Sequence, residues 1–76
     1  MQKIVLELIG HKIRDERLRR GWGQKDLAEK LYLDASDISR MEKGINIGNL
    51  EKLVLVANSL NIDVMELIAA GVKKTN

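Results

Sequence analysis

The apolar pattern between Gln24 and Gly44 constrains the fold of this chain more than any other feature. Within this stretch, apolar residues recur at helical steps on both sides of a short break: Leu27, Ala28, Leu31, Leu33, Ile38 and Met41. Such spacing is that of one buried face of an α-helix, so the stretch is predicted to form two short helices joined by a tight turn. Two helices that cross steeply need a small residue at their closest approach, and Ala28 is predicted to supply it.

The second of these helices leaves a short polar face outward, formed by Ala35, Ser36, Ser39, Arg40 and Lys43. A face of this kind can enter a groove of DNA. Arg40 is the predicted base reader, because a guanidinium can donate to both acceptors of guanine in the major groove. Ser36 and Ser39 can contact base edges or phosphate, and Ala35 can pack on the methyl group of thymine. Lys43, at the end of the helix, is predicted to contact phosphate.

Two carboxylates lie at the start of the same helix. Asp34 is predicted as its N-cap, with Asp37 three residues further on as the partner in a capping box. Asp37 could instead accept a hydrogen bond from a cytosine amino group, although two carboxylates facing phosphate would repel it.

As a set, these residues resemble the helix-turn-helix domain of the lambdoid phage repressor and Cro family, the XRE-type regulators. The resemblance extends from about Ile9 to Ile68 and rests on Gly21–Gln24, Leu27–Ala28, Ile38–Gly44, Leu50, Leu53, Ala57–Leu60 and Glu66–Leu67. It implies a compact all-α domain of five helices that acts as a sequence-specific DNA-binding transcriptional regulator. Within the family, the chain resembles the controller proteins of restriction-modification systems and small phage or plasmid regulators.

The resemblance also implies roles for single residues. Gln24 and Lys25, at the start of the first of the two helices, are expected to contact DNA phosphate or to orient a neighbouring reader. Asn46 is expected either to reach phosphate or a base edge or simply to form a helix connection. Arg17 and Glu42 match the positions of a structural ion pair.

The chain departs from the family at the turn between the two helices. Members usually carry Gly or Asn where Tyr32 stands, because the backbone there adopts a positive φ. That conformation costs a bulky residue roughly 1 kcal/mol or more. Either Tyr32 bears this strain or the turn is locally different.

A fourth and a fifth helix are predicted after Asn49 and Asp63, which serve as their N-caps. The inward residues of the fourth helix are expected to be Leu50, Leu53, Val54, Ala57 and Leu60. A single recognition helix contacts few base pairs, so we expect a homodimer on a two-fold symmetric site with half-sites one helical turn apart. The predicted dimer surface consists of the apolar residues Leu55, Val56, Val64 and Met65.

Residues 1–76 are predicted to form one domain, with the two central helices and their turn at about 24–43. Residues 1–7 are expected to form an extended arm or an extra helical turn, and Gly10 is compatible with both. Residues 72–76 are expected to be a frayed tail. No separate effector-binding or dimerisation domain is expected.

Composition argues against other classes of protein. The chain has no Cys, one His, no phosphate-binding glycine loop and no metal-ligand motif, so we expect no enzyme, metal ion, cofactor or small-molecule ligand. Carboxylate pairs such as Asp15 and Glu16 are predicted to lie on solvated helix faces. No apolar run spans a bilayer, and a soluble cytoplasmic protein is expected. The net charge of +2 is weak evidence for a polyanionic partner.

A rival interpretation remains open. In it, Asp34 and Asp37 make the same helix face a docking surface for another protein, as in an antitoxin-like partner, and no specific DNA binding occurs. Salt dependence distinguishes the two, because a DNA binder loses affinity steeply as salt rises.

Overall fold

Five α-helices follow one another along the chain. The computed structural model describes residues 2–73, with side chains from Ile4 to Val72. The helices are α1 (Gln2–Arg19), α2 (Gln24–Lys30), α3 (Ala35–Glu42), α4 (Leu50–Ser59) and α5 (Val64–Lys73). Between residues 2 and 73 there is no strand, and the predicted all-α, five-helix class is confirmed.

Both ends of the chain are helical within the described residues. Residues 2–7 lie within α1, so they form additional helical turns and not an extended arm. At the other end α5 continues to Lys73. The rest of the predicted tail, residues 74–76, lies outside the described residues.

The hydrophobic core lies where α1 packs against α3 and α5, α2 against α3, and α4 against α5. Its apolar members are Ile9, Ile13, Leu27, Ala28, Ile38, Met41, Ile47, Leu53, Val56, Ala57, Leu60 and Leu67. The periodicity of the central stretch is therefore confirmed at its main positions, since Leu27, Ile38 and Met41 are fully or almost fully buried. Ala28, also buried, lies on the face of α2 that meets the core.

The buried residues of α4 differ from the prediction at two positions. Leu50, expected inside, is 62% exposed, whereas Val56, expected on a dimer surface, has no exposed area. The buried stripe is Leu53, Val56, Ala57 and Leu60, which are three, four and seven residues apart. Leu50 is the first residue of α4, directly after the cap Asn49. It lies one turn before Leu53, the first buried residue of the helix, and is not covered by the core. Val56 is therefore a core residue and is unavailable for contacts between subunits.

Apolar composition is concentrated in α4 and α5. Among the helices of residues 2–73, none has by itself both the length and the apolar character to cross a membrane. The segments Leu50–Ser59 and Val64–Val72 have them only when taken together, and they are bent by 113°.

Four helices end in the same backbone conformation. After α1, α2, α3 and α4 one residue adopts a positive φ, between 57° and 75°, and these residues are Gly21, Tyr32, Gly44 and Asn61. In each case the next residue donates its backbone N–H to a carbonyl five positions back, as Leu33 does to Ala28 (2.9 Å). This is the Schellman arrangement, which satisfies the last carbonyls of a helix.

Gly10 is a mid-helix glycine that tertiary packing requires. The backbone of α1 approaches the end of α3 so closely that a Cβ on Gly10 would lie 2.5 Å from the carbonyl oxygens of both Met41 and Glu42. Any side chain there would push α1 and α3 apart. Gly10 therefore fixes the distance between the first helix and the helix that carries the polar face.

Candidate nucleic-acid interface

The polar face of α3 is accessible along its length. Ser36 and Arg40 are exposed and Ala35 and Ser39 are half-buried, while Ile38 on the opposite side has no exposed area. The four predicted base-reading residues therefore share the solvent side of one helix of eight residues. Lys43 follows the helix directly as its C-cap and is exposed.

Asp37 uses its two carboxylate oxygens differently. Oδ2 accepts a hydrogen bond from the backbone N–H of Asp34 (3.1 Å), which is one half of the predicted capping box. Oδ1 accepts from the guanidinium of Arg40 (3.2 Å), one turn further along the helix. Both groups are open to solvent, so the pair adds little stability. Its effect is to offset the negative charge of Asp37 beside the predicted reader.

A buried network connects α1, α2 and α3 behind this face. Arg17 donates from Nε to Glu42 Oε2 (2.6 Å) and from a terminal nitrogen to Glu42 Oε1 (3.0 Å). A second terminal nitrogen of Arg17 donates to the Trp22 carbonyl (2.7 Å). Gln24 donates its amide to Glu42 Oε1 (3.1 Å). Because the guanidinium donates to a carboxylate, the pKa of Arg17 rises above its already high ordinary value.

This network determines how α3 is held. The ion pair runs across 25 residues of sequence, and both side chains are almost completely buried. Two parallel hydrogen bonds between a planar guanidinium and a carboxylate fix orientation as well as distance. Gln24 was predicted to contact phosphate or to orient a reader. In the free protein its amide binds Glu42, so α2 also contributes to the placement of α3.

The turn between α2 and α3 takes its usual backbone conformation in spite of its sequence. Tyr32 has φ = 57° and its side chain is 97% exposed. The backbone N–H of Leu33 bonds to the Ala28 carbonyl, so the Schellman arrangement is complete. Of the two alternatives for this turn, Tyr32 bears the strain.

The loop after α3 carries the last predicted DNA contacts. Asn46 is exposed, and its side-chain oxygen accepts from the backbone N–H of Gly48 (3.0 Å). The side-chain carbonyl of Asn46 therefore stabilises the conformation of the loop. At the start of α2, Lys25 is exposed.

A charged cluster on α1 was missed by the sequence analysis. Glu16, expected on a solvated face, is buried and binds Lys12 (2.9 Å), Arg19 (3.2 Å) and Arg20 (2.8 Å). Hydrogen bonding to Arg20, followed by that to Lys12, lowers the pKa of Glu16 from 4.5 to about 2. Arg20 also donates to the Leu60 carbonyl at the end of α4. The spacings of three and four residues were a readable signal for this cluster.

The predicted dimer residues do not share one environment. Leu55 and Met65 are exposed, Val64 is half-buried against the core, and Val56 belongs to the core. Elsewhere among the described residues, no group of three or more His, Asp or Glu side chains is arranged to hold a metal ion.

Residues 13–67 match the family model described as Helix-turn-helix. Three solved structures are similar over nearly their whole lengths. The clp gene regulator ClgR from C. glutamicum has a TM-score of 0.83 and 22% identity, and the match covers 95% of this chain and 94% of that one. At this identity the likeness shows the fold alone.

The other two structures are restriction-modification controller proteins. C.AhdI from Aeromonas hydrophila has a TM-score of 0.74 and 28% identity, with 83% of this chain and 90% of that chain covered. A point mutant of C.Esp1396I has a TM-score of 0.80 and 27% identity, with 99% and 95% covered. A comparison with curated protein sequences finds no match.

Proposed function

The chain belongs to the XRE-type helix-turn-helix family, and from this premise we propose that it is a transcriptional regulator that binds a two-fold symmetric DNA operator as a homodimer. The observation that carries the proposal is the exposed polar face of α3, held from behind by the bond between Arg17 and Glu42. The contacts of a domain with phosphate set its position on the duplex, and the recognition helix reads bases from that position. The helix must therefore keep a fixed position relative to the rest of its domain.

In this proposal α3 enters the major groove. Arg40 reads guanine, and Ala35 contacts a neighbouring base edge. Ser36 and Ser39 contact base edges or phosphate, and Lys43 contacts phosphate. The bond between Asp37 and Arg40 supports this assignment, because it offsets the negative charge that would otherwise face the DNA. The same bond weakens the rival interpretation, in which Asp34 and Asp37 form an acidic docking face.

The homodimer is proposed from geometry. One α3 reads a few base pairs, and two copies related by a two-fold axis would read half-sites about 34 Å apart. Leu55 and Met65 are exposed apolar residues on the last two helices and form the proposed contact. Leu55→Glu should give a monomer by sedimentation, whereas Leu18→Glu, an equally exposed site on α1, should leave the mass of the dimer unchanged. A dimer that persists in Leu55→Glu would place the contact elsewhere.

Selection of random duplex DNA by the purified protein tests the proposal. We expect an enriched motif with two-fold symmetry and an affinity that falls steeply with salt. Arg40→Ala should relax the base preference at a cost of about 1–3 kcal/mol, whereas Lys43→Ala should weaken binding to all sequences alike. A folded protein that enriches no sequence at any salt concentration would refute the regulator and favour the interaction module. Unchanged selectivity of Arg40→Ala would refute the assignment of the reader alone.

A further inference from the structure

A hollow of about 260 Å³ lies beside the polar face, where α1, the start of α2 and the end of α3 meet. It is lined by His11, Arg14, Gln24, Ser39, Glu42 and Lys43. We propose that this hollow holds one backbone phosphate of the bound duplex, with Arg14 and His11 of α1 as contacts additional to Lys43. The inference rests on the proposed function and adds α1 to the elements that bind DNA.

The charges around the hollow favour an anion. Arg14 and Lys43 are exposed, and neither has an ion-pair partner among the side chains of residues 4–72. Two unpaired cations that line one hollow, one on α1 and one at the C-cap of α3, make a site of positive potential.

The other Lys and Arg residues with described side chains in α1 or directly after it already have carboxylate partners. Lys12, Arg19 and Arg20 bind Glu16, and Arg17 binds Glu42. Arg14 differs from these four residues, because its side chain lines the hollow and has no carboxylate partner among the side chains of residues 4–72.

Glu42 is the one lining residue that could repel a phosphate, and its charge is compensated. Both of its oxygens accept from Arg17, and Oε1 also accepts from Gln24. Its side chain is almost completely buried, so the guanidinium of Arg17 offsets its charge at close range. The hollow therefore carries the positive charges of Arg14 and Lys43 without a free carboxylate.

The lining also supplies donors of different shapes. The guanidinium of Arg14 can donate two parallel hydrogen bonds to a phosphate, the ammonium of Lys43 binds as a point charge, and the hydroxyl of Ser39 and the ring of His11 can each donate one more. Such contacts fix the register of a protein on the duplex without reading sequence. They would set how deeply α3 enters the groove.

The test measures the salt dependence of binding to the duplex selected above, for the wild type, Arg14→Gln and His11→Gln. Arg19→Gln is the matched control, since it removes the same charge from the same helix outside the hollow, and melting confirms that each variant is folded. For Arg14→Gln we expect roughly tenfold weaker binding and a salt slope smaller by about 0.9 per subunit, with the same enriched motif. His11→Gln should weaken binding less, and Arg19→Gln should bind as the wild type does.

A local readout identifies the phosphate. Neutral methylphosphonates are introduced one position at a time into each half-site. One position should weaken the wild type clearly more than it weakens Arg14→Gln, because the variant keeps only the remaining contacts of Lys43, His11 and Ser39 at that phosphate. A wild-type slope for Arg14→Gln, or an equal loss in Arg19→Gln, would overturn the phosphate site and leave the regulator intact. A folded wild type that binds no duplex would overturn both proposals.

Discussion

Gly10→Ala should destabilise the protein, although it replaces glycine by the best helix former in the middle of α1. On an unobstructed helix this change would stabilise by about 1 kcal/mol. Here the new Cβ would lie 2.5 Å from two backbone oxygens of α3, whereas ordinary contacts begin at 3.4 Å. The helices would have to separate by roughly 1 Å, and overpacking of a well-packed core costs about 1–3 kcal/mol or more.

A clash at 2.5 Å with two backbone oxygens, which cannot rotate away as a side chain would, should cost near the upper end of that range, about 2–3 kcal/mol. The gain in helix propensity offsets about 1 kcal/mol of this cost, so the expected net loss of unfolding free energy is about 1–2 kcal/mol. For a domain of this size that loss lowers Tm by roughly 4–16 °C. Urea unfolding monitored by circular dichroism measures it directly.

A control variant separates packing from propensity. Ala69→Gly, at an exposed position of α5, makes the opposite change and should cost about 1 kcal/mol from propensity alone. If packing governs Gly10, both changes destabilise, although their propensity effects have opposite signs. A Gly10→Ala protein as stable as the wild type, or more stable, would refute the close approach of α1 and α3.

Three further perturbations test the charge network and the turn. Glu42→Ala leaves the Arg17 guanidinium buried without its partner and should lower the unfolding free energy by about 3–5 kcal/mol. Glu51→Ala, on the exposed side of α4, is the control and should change the urea midpoint little. If the two variants had the same urea midpoint, the pair of Arg17 and Glu42 would have no stabilising role. Because the pKa of Glu16 is lowered to about 2, its ionised form stabilises the fold above pH 4.5, and this contribution disappears as pH falls toward 2. Urea unfolding should thus show the wild type losing about 2 kcal/mol more than Glu16→Gln over that range, and parallel pH profiles would contradict the cluster. Tyr32→Gly should raise stability by about 1 kcal/mol by relieving the positive φ, whereas Tyr32→Ala should not; a thermal melt in which both behave alike would show that the turn is unstrained.

Much of the candidate interface could be predicted because its signals are local. The apolar residues of α2 and α3, the capping residues Asp34 and Asp37, and the polar face around Arg40 all follow from spacings of three or four residues. The pairing of Arg17 with Glu42 is not local, since 25 residues separate them. It was expected from the family resemblance, not from the spacing.

The misses were of another kind. Glu16 was placed on a solvated face because charged residues usually lie there, but three cations near it in space make its burial possible. The hollow beside α3 could not be predicted from any single helix, because Arg14 and Lys43 come together through the packing of α1 on α3.

The sequence by itself determined where the four connections between the helices lie and which side of α3 is polar, since each of these depends on neighbours within one or two turns. It left the start of α1 open and placed the end of α5 too early. Only the tertiary structure decided that Val56 is inside and Leu50 outside, and that Gly10 is a contact point, not a weak place in a helix. The physical reason is that periodicity defines a stripe on a helix only to within about one residue. Its final rotation and depth depend on the shape of the partner helix, which the local sequence does not contain.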